Sequence, residues 1–576
     1  MSLTANFDYC VQLGIGPVKA IFHLALKNEE LFPHNVGPFT RNFSGLQFTV
    51  NARLIDDLDN PADLEFADAT HIRFFLPFEL TVDVPDAPDP RLSRVTLNAT
   101  CTLPGALATW PVDGEDQLGV DFAGIAASDV GVPSITGLPA LDASRFTEAL
   151  HTRYLTLPQH TFTLGPNTLV LYDGNRDLSL APPNAATPFE IETAIEPHGA
   201  KQFLKVTLPI HADVPQAVFS LFGHVTFWRE IVAGDTSVSV VIGTEPADAA
   251  LATQIDFDGS HPAEGLVVAQ LKPLVIAQLG GFGTVTEPWF TEASAKQLMA
   301  AELTSYAGDK RFPMYTPKSG DPNVTLSTPV GFLLPAGGVL AVLMNRRDSS
   351  VADFAPDNFL GANQVALAVG RAALDEMIQK AMKEQFPGVN NGGSEVSTDE
   401  GTATLYTLTV TPSDAGEHGQ TEGHLWSEGT AEVHIDCWPD PDVSFSGAIF
   451  LRVVLTETDT ECSMEVKPEM GDFDASQSCC DVFIDILIPV AGIVMLIVIE
   501  SMIDKVGGEL AADFAGKQAR NIEALPPFVA GVAELQACLE DLRVSSQGLV
   551  FPGKLRIRRE GRSFEDLADS GDLPRP

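Results

Sequence analysis

Residues that could carry out catalysis are few in this sequence, and none of them stands in a recognised catalytic motif. The sequence contains no GxSxG nucleophile elbow, no HExxH pair of zinc-binding histidines and no GxxxxGK[ST] phosphate loop. The 12 histidines are scattered, and His23 stands between apolar neighbours, as is typical of a partly buried packing residue. We therefore expect no catalytic activity and no cofactor; a site assembled from distant segments is the alternative.

Acidic and cysteine residues of the types that bind metals occur in this sequence, but their spacing is more typical of ordinary turns and packing residues than of a metal site. Asp256-Phe257-Asp258-Gly259 resembles the start of a calcium loop, but the closing carboxylate is missing at EF-hand spacing, and Glu264 could serve only a looser site. The adjacent Cys479 and Cys480 could form a redox or metal site, or they could be small hydrophobic residues that enter a helix. The seven cysteines show neither paired CxxC spacing nor a dense disulfide framework. We expect no bound metal.

The charge of the chain argues against nucleic acid as a partner. The 77 acidic residues outnumber the 35 basic ones, which gives a formal net charge of −42. Such a surface repels phosphate backbones and anionic lipid headgroups, and it also keeps a rather apolar chain dissolved. One run of basic residues near the C-terminus is an exception to this acidity. It could be a solvated strand, an arm that pairs with the protein's own acidic surface, or a docking arm for a partner. It consists of Lys554, Arg556, Arg558, Arg559 and Arg562.

Strict alternation of apolar and polar residues predicts long strands with one buried face and one wet face. Such strands are typical of antiparallel sheets that cover a core on one side. The alternation is clearest at residues 46–54, 72–84 and 95–101, and it returns at 203–211, 219–228, 236–242, 431–437 and 443–453.

Apolar residues at helical spacing predict helices at 17–31, 290–306, 363–385 and, longest of all, 482–517. The segment Ile486–Ile499 contains no polar residue, and Asp485 and Glu500 bracket it. Its 14 residues would measure about 21 Å as a helix, which is short of the roughly 30 Å hydrocarbon core of a membrane. We therefore predict no transmembrane span, and instead a helix in an apolar cleft that either protein side chains or lipid could fill.

Two parts of the chain follow a similar plan of strand, helix and strand meander. Residues 9–13 precede a helix that ends near Leu31-Phe32-Pro33, and residues 338–343 precede a helix that ends at Gln385-Phe386-Pro387. This repetition predicts two related domains. We place them at 1–320, with extra strands at 156–275, and at 330–545, followed by a basic-then-acidic tail at 546–576. The boundary is expected within 308–336, where the stretch 310–328 is rich in Pro, Gly and Asp.

These elements together resemble the tubular lipid-binding (TULIP) superfamily, which includes the bactericidal permeability-increasing protein family and the bacterial P-47/OrfX group. The resemblance rests on Val18–Phe32 before the strand at 46–54, on Asn363–Ile378 and on the 482–517 helix, and it covers roughly residues 1–130 and 330–520. It implies an α+β fold of two domains, each with long curved antiparallel strands wrapped around a long apolar helix, with lipid between them. The N-terminus lacks a Sec-type signal, which favours the P-47/OrfX group and predicts synthesis in the cytoplasm, with any release by another route.

The function that this resemblance implies is the binding of lipid or another hydrophobic ligand, without catalysis. The ligand contacts should come from helix residues that face a curled sheet: Phe22 and Leu26 in the first domain, and Ile378, Met382, Ile493, Met495, Leu496 and Ile497 in the second. The alternative function is an accessory or structural subunit of a toxin or secreted protein complex, with the groove packed shut. That alternative includes a protein partner or a homo-oligomer.

Overall fold

The structure is a computed structural model, and its described part covers most of the chain. It comprises residues 3–5, 7–26, 34–43, 46–55, 61–85, 93–112, 115–156, 161–164, 167–170, 191–214, 219–234, 237–257, 269, 272–273, 275–277, 279–308, 310–315, 330–346, 356–397, 402–434, 442–457, 462–476, 533–559 and 565–566.

The described residues fold mainly into antiparallel strands joined by short helices. The strands of the first half are, in chain order, β1 (Phe7–Gly14), β2 (Asn35–Phe43), β3 (Leu46–Leu54), β4 (Asp63–Phe66), β5 (His71–Asp83), β6 (Arg94–Val112), β7 (Glu115–Asp121), β8 (Gly131–Thr136), β9 (Thr161–Leu164), β10 (Asn167–Val170), β11 (Glu192–His198), β12 (Lys201–Val214), β13 (Phe219–Ala233), β14 (Ser237–Val241), β15 (Gln254–Phe257), β16 (Thr284–Pro288) and β17 (Arg311–Tyr315).

The second half continues the same pattern. Its strands are β18 (Val330–Leu334), β19 (Val339–Arg346), β20 (Val365–Gly370), β21 (Ser394–Ser397), β22 (Thr402–Ser413), β23 (His424–His434), β24 (Asp442–Glu457), β25 (Cys462–Ala475), β26 (Ala533–Leu539), β27 (Arg543–Ser545), β28 (Gly548–Arg559) and β29 (Glu565–Asp566). The helices are α1 (Ile15–Leu26), α2 (Ser144–Thr156), α3 (Glu292–Ala307) and α4 (Arg371–Gln385).

The strands predicted from alternating residues are confirmed. In β5, for example, Ile72 and Phe74 are buried, while His71 and Arg73 between them are exposed. This alternation continues along the strand, except at Pro77, which is also buried, because successive side chains of a strand point to opposite faces of its sheet. The apolar face of β5 therefore lies in the core and its polar face lies in water.

A central sheet joins segments that are distant in sequence. Its strand order is β18-β19-β1-β20-β28-β26, and β1 is antiparallel to both of its neighbours. Val11 of β1 lies opposite Val342 on one side and opposite Leu367 on the other. The first strand of the chain is therefore held between two strands of the second half.

Two units of strand, helix and meander meet at the β1–β20 pair. β1 leads directly into α1 and is followed by the sheet β17-β7-β6-β5-β3-β2, whereas β20 leads directly into α4 and is followed by the sheet β21-β22-β23-β24-β25. The predicted repetition is corrected in one detail, since the strand before α4 is β20, and residues 339–343 belong to β19, which pairs with β1. The domain boundaries at 320, 330 and 545 stay predictions.

A six-stranded sheet follows in the first half, and strands from the predicted linker and the predicted tail belong to the other large sheets. The sheet has the order β11-β12-β13-β14-β16, with β15 paired to β13. β17, in the stretch where the linker was predicted, pairs with β7, and β28, in the predicted tail, lies in the central sheet. Cys538 of β26 is disulfide-bonded, which the cysteine spacing did not predict.

The expected α+β fold, with a long apolar helix inside each of two TULIP-like domains, is wrong. The longest helix among the described residues is α3, with 16 residues, and the predicted helix at 482–517 lies outside them. Residues 365–370, which helical spacing placed in a helix, form β20 and are buried on both faces, between β1 and β28. A run of small and β-branched apolar residues suits such a doubly buried strand. The described fold is mainly antiparallel β.

Candidate functional site

Helix α1 places Phe22 and Leu26 against the sheet of the first half. Both side chains are only 1% exposed, and the ring of Phe22 lies 5.1 Å from the ring of Phe74 on β5. Lys19, one turn away, forms a 2.6 Å ion pair with Asp63 at the start of β4. The Phe22 and Leu26 side chains thus belong to the apolar core between helix and sheet.

Helix α4 places Ile378 and Met382 in the same way in the second half. Leu374, Ile378 and Met382 recur every four residues, which puts them on one helix face, and all three are buried. At the N-terminus of the helix, Arg371 binds the carboxylate of Asp375 at 2.7 and 2.8 Å and donates a hydrogen bond to the Pro412 carbonyl at 3.2 Å.

The other end of α4 is held by the loop that follows it. The N–H of Asn390 donates to the carbonyl of Tyr406 at 2.7 Å, so both ends of the helix are bonded to β22. The helix also packs against β1, β20 and β28 of the central sheet.

The structure places the four described candidate residues in one apolar core. Phe22, Leu26, Ile378 and Met382 are all 3% exposed or less, and they belong to a single cluster of packed side chains that extends through both halves. A ligand that contacts these four side chains would have to replace protein contacts. The other candidates, Ile493, Met495, Leu496 and Ile497, lie outside the described residues.

The two described free cysteines are unreactive thiols, and the His71–Asp68 pair lies on the surface, away from this core. Burial raises the pKa of the Cys10 and Cys101 thiols, which keeps both protonated at neutral pH. His71 pairs with Asp68 on the surface, where the backbone N–H of Thr70 is the main cause that lowers the pKa of Asp68 to about 2. In the described part of the chain, no three His, Cys, Asp or Glu side chains lie together as a metal site would require.

Two residues of the basic run, Lys554 and Arg556, pair with the protein's own acidic residues, as one of the interpretations predicted. Lys554 lies 3.3 Å from Glu457, 3.5 Å from Glu540 and 3.1 Å from Asp566. Arg556, next on the same face of β28, is almost fully buried and lies 3.3 Å from Glu457. These ion pairs hold the end of the β24–β25 hairpin on the central sheet.

A cleft of about 450 Å³ on the six-stranded sheet is built around a buried arginine. Arg229 is 1% exposed; its Nε donates to the carbonyl of Ile242 at 2.8 Å and its Nη2 to Glu245 at 3.2 Å. Burial lowers the pKa of Arg229, while Glu245 acts in the opposite direction and keeps the cation paired. Arg229 thereby holds the loop at 244–248 against β13, and its role is structural.

Sequence reasoning missed two surface clefts, this one and the cleft on the five-stranded sheet described below. The apolar positions of the alternating strands predicted the core, but which polar positions lie side by side depends on the pairing of neighbouring strands. The signal was present in β22, where threonine occupies positions 402, 404, 407, 409 and 411.

Among the described residues, no helix combines the length and the apolar character needed to cross a membrane. No family model and no curated protein matches the chain. Among solved structures, the chain is similar to the crystal structure of lipopolysaccharide binding protein, at 9% sequence identity and a TM-score of 0.24, over 96% of this chain and 100% of that one. A TM-score of this size establishes neither fold nor function, and the resemblance to the TULIP superfamily stays a prediction.

Proposed function

We propose that this protein binds a lipid or another hydrophobic ligand against the apolar inner faces of its long sheets, and that it is not an enzyme. The observation that carries the proposal is a mismatch of lengths. From Ile72 to Val82, the inner face of β5 is apolar at every second residue and extends over about 34 Å. The 12 described residues of helix α1 measure about 18 Å.

The second half has the same mismatch. β24 contains 16 residues and extends over about 53 Å, whereas the 15 residues of α4 measure about 22 Å. The inward side chains of β5 from Ile72 to Val82 are all 3% exposed or less, so apolar groups other than α1 already cover this face. The acyl chain of a ligand would bind here by taking the place of part of that cover.

The chemistry of the described residues supports a function without catalysis. The two described free thiols are buried and protonated, and the pairs His71–Asp68 and His198–Asp248 are on the surface. A hydrolase or transferase would need a nucleophile, a base and an oxyanion site within hydrogen-bond reach in one cleft.

The test is to identify what the full-length protein carries. Native mass spectrometry and lipid extraction of purified protein should detect a lipid at a defined stoichiometry. The double variant Ile493→Ala/Leu496→Ala should carry less of it than the wild type, whereas Val232→Ala, at a residue that is 54% exposed, should carry the same amount. Protein that stays empty even after incubation with a fluorescent fatty acid would contradict the proposal.

A second candidate function is that of an accessory or structural subunit of a larger protein complex. The observation that favours it is the burial of Phe22, Leu26, Ile378 and Met382 at 3% exposure or less, since a groove filled by protein has no room for a ligand. Empty protein that forms a stoichiometric complex with one partner from its source cells would support this candidate. It would also remove the support for lipid binding.

A further inference from the structure

The outer face of the five-stranded sheet, opposite to the face on which α4 lies, contains a shallow cleft of about 490 Å³. Its floor crosses β22, β23, β24 and β25. The strand register is shifted at Leu405/Thr407 in β22 and at Gly447/Ile449 in β24. Such bulges bend and twist a sheet locally, which explains why this polar face is concave.

The polar side chains of the cleft form two parallel rows across the strands. In the antiparallel register Thr409 is opposite Glu428, Glu428 is opposite Ser446, and Ser446 is opposite Asp474. Each residue of the second row is two residues along the same strand from a residue of the first row, so the rows lie about 7 Å apart. Neighbours within a row lie about 4.8 Å apart, which is the spacing between strands. The rows are Thr409, Glu428, Ser446 and Asp474, and Thr407, Thr430, Ser444 and Ser476.

The two rows offer many hydrogen-bonding groups and two negative charges. The Thr407 and Thr430 hydroxyls bind each other at 2.7 Å, and the Ser476 hydroxyl accepts the backbone N–H of Ser444 at 3.0 Å. Within the described residues the Thr409 and Ser446 hydroxyls make no side-chain hydrogen bond, so they are available to a ligand. Serine and threonine hydroxyls both donate and accept, whereas the carboxylates only accept.

This combination selects the chemical class of the ligand. The cleft is lined by two carboxylates and no lysine or arginine, and the chain carries a net charge of −42, so phosphates and other anions are repelled. The two carboxylates have no third acidic, His or Cys neighbour that would complete a metal site in the described part. A ligand with several hydroxyl groups on a rigid frame satisfies both rows, because its hydroxyls donate to the carboxylates and exchange hydrogen bonds with Thr and Ser.

We propose that this cleft binds a saccharide, neutral or carrying an amino group. The rows extend over three strand spacings, about 14 Å, so they accommodate more than a single functional group of the ligand. Glu428 and Asp474 accept hydrogen bonds from ring hydroxyls or from an ammonium group, and the Thr and Ser hydroxyls between them fix the register. This site lies on the face opposite to the proposed lipid site and does not depend on it.

The test is a titration of the full-length protein, followed by saturation-transfer NMR, with three probes: the β-1,4-linked disaccharide of glucosamine, cellobiose and glucuronic acid. We expect saturable binding of the first two, tighter for the amino sugar, and none of the acid. Glu428→Gln and Asp474→Asn should each weaken the amino sugar about tenfold, because each removes a charge-assisted hydrogen bond. Thr430→Val should weaken both sugars.

The matched control is Thr226→Val. Thr226 forms a similar cross-strand hydroxyl pair, with Thr207 at 3.4 Å, on the six-stranded sheet outside this cleft. This variant should leave both affinities unchanged. The proposal is overturned if neither sugar binds saturably, if glucuronic acid binds as well as glucosamine disaccharide, or if the cleft variants and Thr226→Val behave alike.

Discussion

Substitution of Phe22 by alanine tests whether the candidate site is protein core or ligand surface. The Phe22 side chain is 1% exposed, and its ring contacts that of Phe74 at 5.1 Å. Removal of a buried phenylalanine costs about 3–5 kcal/mol through lost burial and a residual cavity, of which a ring pair accounts for roughly 0.5–1.5 kcal/mol. We expect Phe22→Ala to lower the free energy of opening of this core by about 3–5 kcal/mol.

Hydrogen exchange followed by mass spectrometry measures the free energy of opening of this core locally. A local measurement is needed because a chain of 576 residues need not unfold in one step. The informative peptides are those of α1 and β5. Val232→Ala, at a residue that is 54% exposed, is the control and should change stability by less than about 0.5 kcal/mol. Benzene should protect Phe22→Ala and leave the wild type unchanged, since an apolar cavity binds small apolar molecules.

One result would refute this reasoning. If Phe22→Ala lowers the opening free energy by less than about 1 kcal/mol, the ring does not fill a packed core. If the same variant also loses co-purifying lipid, Phe22 is a ligand contact, and the lipid site extends to α1.

Three further predictions concern polar groups that hold the fold. Arg229→Met should destabilise the β13 region by about 1–3 kcal/mol in local hydrogen exchange, because it breaks a partly buried ion pair and removes a donor from two backbone carbonyls. Arg229→Met as stable as the wild type would contradict this. Hydrogen bonds from the hydroxyl and the N–H of Ser546 lower the pKa of Asp414. The contact therefore stabilises the protein above the usual Asp pKa, and this stability is lost as the pH falls through the lowered pKa. The difference in Tm between the wild type and Asp414→Asn should shrink on acidification, and a constant difference would count against the contact. Glu457→Gln should speed exchange at the end of the β24–β25 hairpin, because Lys554 and Arg556 lose the one carboxylate partner that this hairpin supplies at its end. Unchanged exchange there would show that these ion pairs are dispensable.

Local patterns in the sequence determined which face of each strand is buried. The alternation at 46–54 and 72–84 predicted β3 and β5 to within one residue at each end, because side-chain direction in a strand depends only on the backbone of that strand. The helix at 290–306 was likewise predicted almost to its ends, and Thr291 caps it by accepting the N–H of Ser294 at 3.2 Å. These features follow from neighbouring residues, so a single sequence contains them.

Tertiary structure decided which strands meet. Val365–Gly370 is a strand because β1 and β28 supply backbone partners on both sides, and from sequence alone so short an apolar run cannot be told apart from a helix segment. The polar cleft likewise exists only where Glu428 and Asp474 come together across β24, an arrangement set by strand register. Pairing between strands that are distant in sequence forms only when the tertiary fold brings those segments together. For that reason the sequence determined the faces of the strands, while their neighbours, and the surfaces shared between them, depended on the fold.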